Sequence, residues 1–444
     1  MSKWDFIELS ELCDLEKGKT GLLKAKEGEY TLVATGKDRR TCDTYQFDTK
    51  AVCVPLVSST GHGHASLKYV HYQEGKFALG TILVAVVPKD ENVLNAQFLH
   101  LYLSRLKDVV LVPLMTGAAN VTLTVTKLKT VKVPLPPIEE QLRIVALFNS
   151  MDNEQAELTD EILYQQELLK KLRQSVLQEA IEGKLTTFWR EQNPDVEPTS
   201  VLIERIQNAQ GEWVIREKEK GNREASTFER KLNKLKQNPL LKPSVSLPKY
   251  WSWSSIIEIS NIVVDCHNKT APYTDSGVWI IRTTNIRNGL LNNNEQKFVH
   301  ENTYKYWSRR CPPEPGDIVY TREAPIGEVT VIPENTKICM GQRMMLIRPF
   351  HNLILKEYLK IALMEPSFLK RLEGVQIGAT VKHLRVGDVE NAMIPIPPLE
   401  EQKEIVQKIE NLLQICDGLE TQINSSKMNS ETLMQAVLKE AFEK

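Results

Sequence analysis

The sequence has no apolar run near the ~20 residues that a membrane span needs, and its opening MSKWDFIELS lacks the basic-then-apolar layout of a secretory signal. Paired cysteines are missing too. The seven present (Cys13, Cys42, Cys53, Cys266, Cys311, Cys339, Cys416) are scattered and never spaced CxxC. That excludes a zinc ribbon or disulfide framework and predicts a cytoplasmic protein with free, mostly packed thiols. Net charge is nearly absent, −1 with a pI near 6.7, so bulk positive charge cannot be what holds any nucleic acid. Phosphate cradles are absent: residues 61–66 read GHGHAS, failing GxGxxG at its third glycine, and no P-loop occurs. Each Pro-Pro pair lacks the flanking residues of an adenine methyltransferase loop, and Pro194-Asp195 with Glu229-x-Lys231 imitates a nuclease triad only loosely. No catalytic residue and no cofactor is assigned to this chain. No metal site is assigned either, since His62 and His64 have no third ligand near them. What remains is an ordinary soluble composition, 41% hydrophobic and 25% charged over 444 residues, enough for two or three domains.

What the sequence does have is a duplication. Residues 133–141 read VPLPPIEEQ and residues 394–402 read IPIPPLEEQ, an offset of 261 that holds without a gap from Gly117–Gly183 onto Gly378–Lys444. Over those 67 positions 21 are identical, and LRQSVLQEAIE at 172–182 falls on LMQAVLKEAFE at 433–443. The segments ahead of each copy are far less alike. The order is therefore variable unit, repeat, linker, variable unit, repeat.

Each repeat reads as a long helix. Pro136 and Pro137 suit the start of a helix, where a missing N–H costs nothing, and Glu139 and Glu140 suit the positive end of its dipole. Ile144, Phe148, Met151, Leu158, Ile162, Leu169, Leu172 and Val176 then follow a 4-3 spacing, with Gln155 and Gln165 at its polar positions. The second copy offers Ile405, Ile409, Leu412, Leu419, Ile423, Leu433 and Val437, with Cys416, Ser426 and Ser430 between them. Such a run predicts a coiled coil ending near Gly183 in the first copy, a rod of about 65–70 Å. Two equivalent modules that bury the same face on each other tend to two-fold symmetry, which makes the rods antiparallel with the variable units at opposite ends. A linker of this length also permits a parallel pair. The predicted fold class is thus α+β, with two small α+β domains separated by two long antiparallel coiled-coil helices in pseudo-two-fold symmetry. The segments are 1–132, 133–184 (helix), 185–245 (linker), 246–393 and 394–444 (helix).

Charge follows this plan. Residues 117–183 hold 7 cations and 10 anions and residues 378–444 hold 7 and 11, whereas 244–377 hold 16 and 13. Acidic rods are poor phosphate surfaces, so nucleic acid would meet the variable units. Both units mix short β-like runs with turns. TILVAVVP (81–88), WIIRTTNI (279–286), DIVYTR (317–322), GEVTVIP (327–333) and RMMLIRP (343–349) read as strands, and 95–106 and 355–364 as helices. Their loops carry groups that suit base edges. In the first unit these are Lys37, Arg39, Arg40, Ser59, Thr60, His62 and His64. In the second they are Arg282, Thr283, Asn285, Arg287, Arg309, Arg322, Gln342 and Arg343. Solvated surface charge explains any one of them alone; the clusters as groups point to DNA.

The paired PLPPIEEQ…IV and PIPPLEEQ…IV junctions, the LxQ(S/A)VLxEA helix ends and the two unlike units resemble the specificity subunit of type I restriction–modification enzymes. Segments WIIRTTNIRNG (279–289), GDIVYTREAPIGE (316–328), GQRMMLIRP (341–349), GATVKHL (378–384) and 58–80 look like parts of that family's target-recognition domains. The resemblance implies a non-catalytic subunit that reads a split, asymmetric double-stranded DNA target, one half per recognition domain. It implies helices that set the gap between half-sites and dock two methyltransferase subunits, and through them restriction (motor-nuclease) subunits. S-adenosylmethionine, ATP and Mg would belong to those partners. A coiled-coil protein-interaction scaffold, or the recognition subunit of a methylation-only or otherwise organised restriction system, shares the periodicity and stays open at this level.

Overall fold

The computed structural model describes residues 4–60, 63–118, 120–350, 352–373 and 383–442. The chain packs as two units, Met1–Gln165 with Gln422–Lys444, and Gln166–Thr421. The division passes through both long helices, so each unit owns one end of each.

In the first unit, strands Cys13–Lys17, Leu83–Pro88, Ala51–Pro55 and His71–Gln73 form an antiparallel sheet in that spatial order. The two central strands are covered on both faces, which is why they read as unbroken apolar runs instead of alternating. A second sheet runs Arg40–Cys42, Tyr30–Val33, Lys76–Leu79, Phe47–Asp48, and its middle pair is parallel, Leu32 facing Ala78. Strands Phe6–Glu8 and Lys132–Pro134 pair antiparallel, bringing the chain's entry and exit side by side just ahead of Pro136-Pro137. The helix Ala96–Arg105 begins where Asn95 accepts hydrogen bonds from the amides of Gln97 and Phe98, and it buries Phe98, Leu99, Tyr102 and Leu103.

The second unit repeats this plan with other residues. Its antiparallel sheet runs Ser260–Asp265, Met344–Pro349, Ile318–Arg322, Ile326–Val331. A parallel pair, Val278–Ile281 with Ile338–Met340, carries Lys297–Val299 on its outer side. Ser252–Ser255 and Met393–Ile396 form the entry–exit pair, and Lys356–Met364 is the counterpart of Ala96–Arg105. The predicted single strand over 279–286 breaks at Ile281, because residues 283–285 coil into a 3-10 turn around the Asn285 amide.

The two long helices, Ile138–Ile181 and Leu399–Phe442, are 44 residues each. The first stops where Gly183, at φ +73°, lets the Lys184 amide reach back to the Glu179 carbonyl (2.8 Å) and its own amide to Ala180 (3.0 Å). In the first unit Ile144 and Phe148 pack with Phe442 from the end of the second helix. In the second unit the repeat counterparts exchange helices: Ile405 and Ile409 share a core with Ile181. The pairing is antiparallel within each unit.

The seam departs from a strict heptad. Ile144, Phe148, Ile162, Leu169, Val176, Ile405 and Ile409 are buried, and Met151, Leu158, Leu412, Ile423 and Val437 half-buried. Leu172, Leu419 and Leu433 were expected in the seam but are 45%, 41% and 60% exposed. After Leu169 the seam steps four residues to Arg173, whose guanidinium crosses to Asp417 (2.6 Å) and Glu420 (3.1 Å). After Ser430, the residue equivalent to Leu169, it steps four to half-buried Met434. Both copies thus carry a stutter at the same place, which relaxes the supercoil and turns Leu172 and Leu433 outward.

The segment read as a linker is folded. Helix Thr187–Gln192 is tied by Arg190 to Glu401 and the Gly183 carbonyl, while Thr199–Glu219 and Arg223–Gln237 lie against the second unit near Ile257–Asp265; Gln210 donates to the carbonyls of Ile257 (3.1 Å) and Ser260 (2.9 Å), and Phe228 is buried against Trp213. All seven cysteines are buried and unpaired. Among the described residues no helix is long and apolar enough to cross a membrane.

Candidate nucleic-acid interface

The parallel strand pair is the element that positions the basic loops. In the second unit the Gly341 amide donates to the Ile281 carbonyl (2.8 Å), where a side chain's Cβ would lie 2.7 Å from that oxygen. The chain leaves these neighbouring strand ends as Arg282 and as Gln342-Arg343, so residues 60 apart in sequence emerge together. In the first unit the Gly80 amide meets the Val33 carbonyl in the same way (3.0 Å), and the strand ending at Val33 runs into the loop bearing Lys37, Arg39 and Arg40.

Within the second unit the predicted residues divide by role. Asn285 is fully buried; its amide donates to the Asn294 (2.8 Å) and Asn292 (3.3 Å) carbonyls while its oxygen accepts from the Arg282 amide (3.0 Å). It shapes the loop from within, with its amide hydrogens and oxygen engaged by the backbone. Thr283 opens the same turn, and Arg282 donates to the Glu295 carbonyl (2.8 Å). Arg287 is exposed, with one nitrogen resting on the Thr283 carbonyl (2.6 Å). Arg322 is also structural: its side chain, 12% exposed, donates to Asp265 (2.6 Å) and to the Leu384 carbonyl (2.9 Å). Asp265 lies in a chain of contacts, since Arg310 donates to its carbonyl (3.5 Å) and bidentately to Glu224 (2.9 and 3.0 Å).

Besides Arg287, Arg343 and Arg309 are presented to solvent, and Gln342 is half-buried. Arg343 is exposed at φ +70° and sits 3.2 Å from Glu323. Among the described residues Gln342 accepts only a long bond from Thr270 (3.4 Å), leaving its amide group to donate. Arg309 lies 4.2 Å over the Tyr306 ring, beside His267 stacked on Trp307 at 4.4 Å. Burial, then Arg309 and Lys269, push the His267 pKa down and favour a neutral ring. This aromatic and cationic group was not read from the sequence, although YKYWSRR at 304–310 displays the interleaving that signals it.

In the first unit Lys37, Arg39 and Arg40 are all exposed, but Arg39 is tied to the strand His71–Gln73. Its nitrogens meet His71 Nδ1 (3.1 Å), the Gln73 side chain (3.2 Å) and the Tyr72 carbonyl (3.3 Å). Burial and the Arg39 charge push the His71 pKa down to about 4, so at neutral pH the ring accepts from Arg39. The loop around 58–66 is knitted by its own hydroxyls: Thr60 donates to the His64 carbonyl (3.2 Å), and Ser59 accepts from the Lys68 amide (2.8 Å). His64 is exposed; His62 lies outside the described residues, as does most of GATVKHL.

The repeat's own motif proves to be a clasp. Gln141 is buried, its oxygen accepting from the Asn95 amide (2.9 Å) and its nitrogen donating to the Val93 (2.8 Å) and Pro136 (2.9 Å) carbonyls. Its counterpart Gln402 accepts from the Leu355 amide (3.0 Å) and donates to the Pro397 carbonyl (3.1 Å). Each glutamine fastens a long helix to the start of its own recognition domain's helix. The duplicated EEQ was the available signal.

Two like-folded domains with unlike loops, each clasped by the same duplicated motif, meet a family model for the type I restriction modification DNA specificity domain, which matches residues 1–167 and 248–426. The chain belongs to this family. Among Escherichia coli relatives, the EcoBI specificity subunit is 26% identical over 70% of this chain and 57% of its own length. The EcoAI specificity subunit is 28% identical over 61% and 44%, and the EcoDI specificity subunit 24% over 99% and 88%. The chain therefore spans about half the length of the first two and most of the third. Of solved structures, the HsdS subunit from Thermoanaerobacter tengcongensis superposes with a TM-score of 0.54 at 17% identity, covering 99% of this chain and 96% of that one. A chain from a structure of complex assembly and conformational transition in the type I R-M system gives 0.58 at 16%, covering 99% and 97%. At such identities these two establish the shared fold. Members of this specificity family supply DNA target recognition, and the relatives found are specificity subunits, a non-catalytic role.

Proposed function

We propose that this chain reads a bipartite, asymmetric DNA target for a type I restriction–modification assembly, one half-site per recognition domain. The observation that carries this reading is one fold used twice with different loops. The parallel strand pair and its glycine contact recur, but Lys37-Asp38-Arg39-Arg40 follows it in one domain and Arg282 to Arg287 in the other. Identical half-sites would need identical readers; unlike loops on a common frame supply unlike readers. The paired helices act as the spacer, and the near-neutral chain leaves most phosphate clamping to partners.

Docking of methyltransferase subunits on the helices is supported by their uncovered apolar residues. Leu168 and Leu172 lie one turn apart on the first helix and Ile415 and Leu419 one turn apart on the second, all between 41% and 61% exposed. A solvated coiled coil has no need of them; a helical partner does. S-adenosylmethionine chemistry, and ATP and Mg use by a restriction subunit, then belong to those partners.

The test is to map methylated adenines genome-wide in cells that carry the complete system. The expected result is one split motif with two different halves. A continuous motif or a palindrome refutes the division of labour. Removing one heptad in phase from both helices should shorten the gap and leave both halves unchanged, and an unaltered gap refutes the spacer.

A further inference from the structure

The helix Arg223–Gln237 is the most cationic element that the recognition reading leaves unused. It has five cations and two acids, and both acids are already neutralised. Glu224 holds Arg310 bidentately (2.9 and 3.0 Å), and Glu229 holds Lys218 (2.6 Å). One cation is consumed as well, Lys231 on the nearly buried Glu390 (2.5 Å). Arg223, Arg230, Lys234 and Lys236 are left exposed, and none forms an ion pair among the described residues.

Their placement is not random around the helix. At about 100° per residue, Arg223, Arg230 and Lys234 fall within an arc of roughly 40°, with Ser226, Asn233 and Gln237 alongside and no acid between. The opposite side holds Ala225 and Phe228, buried against the second unit. The cationic stripe runs for about 16 Å, from Arg223 to Lys234. Its floor is fixed: Trp213 meets the Phe228 ring edge-on at 5.7 Å, and Gln210 ties the preceding helix to the carbonyls at Ile257 and Ser260.

The stripe also joins the candidate interface. Glu224, next to Arg223, is bonded to Arg310; Arg310 reaches the Asp265 carbonyl, and Asp265 holds Arg322. Arg309, over the Tyr306 ring, is the neighbour of Arg310 in sequence.

We propose that the solvent face of this helix binds the phosphate backbone of duplex DNA without regard to sequence, extending the contact of the second recognition domain beyond the bases it reads. The proposal rests on the DNA-reading function above. Charge complementarity selects the occupant: a cationic stripe with its helix's acids already paired and only neutral polar side chains alongside suits phosphates, and it offers no carboxylate or apolar anchor to a protein partner.

The test is the triple variant R223Q/R230Q/K234Q in the full chain, assembled with its methylation partners. Binding to target and non-target duplexes is measured against salt. Loss of three phosphate contacts should flatten the slope of log K against log salt by about 3, and weaken binding by on the order of 10- to 100-fold near 0.15 M. The loss should be equal on both duplexes, with the methylated motif unchanged, and R223K/R230K should keep wild-type binding. Wild-type binding with an unchanged slope in the triple variant overturns the inference alone. A loss confined to target DNA overturns it in favour of base reading, and a variant that no longer assembles overturns it in favour of a protein partner. A wild-type assembly that binds no DNA overturns the functional reading beneath it.

Discussion

Glu401 offers the sharpest test of how the helix ends are held. Its carboxylate is completely buried. One oxygen accepts from Thr186 Oγ1 (2.6 Å) and Arg190 (2.5 Å), the other from the Trp251 indole (2.8 Å). Arg190, 16% exposed, keeps one further strong partner in the Gly183 carbonyl at 2.7 Å. Replacing Glu401 by Ala leaves a largely buried guanidinium, a hydroxyl and an indole without their acceptor. Breaking one side of such a pair costs about 3–5 kcal/mol, and the remaining Arg190 contact places the value near the lower end, about 3 kcal/mol. E401A/R190M should cost less than the sum of the single changes, because the second removes the charge that the first strands. The assay is denaturant unfolding with hydrogen exchange read in peptides covering 183–190 and 399–405. A cost below about 1 kcal/mol for E401A, or strict additivity in the double variant, refutes the assignment of this carboxylate as the node.

Three further outcomes are expected. His71 has a folded pKa of about 4, below the ~6.5 of a free imidazole, so the unfolded chain takes up the proton first. Its contribution is complete above pH ~6.5 and is lost as the pH falls toward 4, with a limit of about 3 kcal/mol; His71→Asn, which keeps an acceptor for Arg39, should flatten that dependence in a pH series of unfolding curves. Gln141→Ala and Gln402→Ala should each cost about 1–3 kcal/mol, with faster amide exchange at Asn95 and Leu355 respectively, and an effect at the other copy's site would contradict separate clasps. Arg343→Ala should impair methylation at one half-site with stability changed by less than about 0.5 kcal/mol, while Arg322→Ala should lower the melting temperature through the orphaned Asp265 carboxylate; equal stability for the two variants would contradict their different roles.

The helices were legible because duplication displays the same periodicity twice. Their register was legible on either side of one position, Val176 included; the shift from Leu172 to Arg173 depends on a cross-helix ion pair that no apolar pattern encodes. The common fold of the two recognition domains was hidden, since strand order can persist while nearly every core residue changes. What survives is the glycine that follows each inner parallel strand, Gly80 and Gly341, a signal too short to find unaided. The segment 185–245 read as a linker through its place between the first repeat and the second unit, yet Leu202, Ile206, Gln210 and Val214 at four-residue steps carried the helix that buries them. In the candidate site the burial of Asn285 and Arg322 was not legible, because polar residues that build a loop and those that display it are the same types.

The glutamine clasp, the entry–exit strand pair and the apolar core shared with the long helices attach each domain by contacts that do not involve its basic loops. A foreign module bounded at the same prolines could therefore be plugged into either socket if it keeps the glutamine's acceptors and the apolar face that meets the helices. New specificities would arise by wholesale exchange of modules, with no need to redesign their mountings.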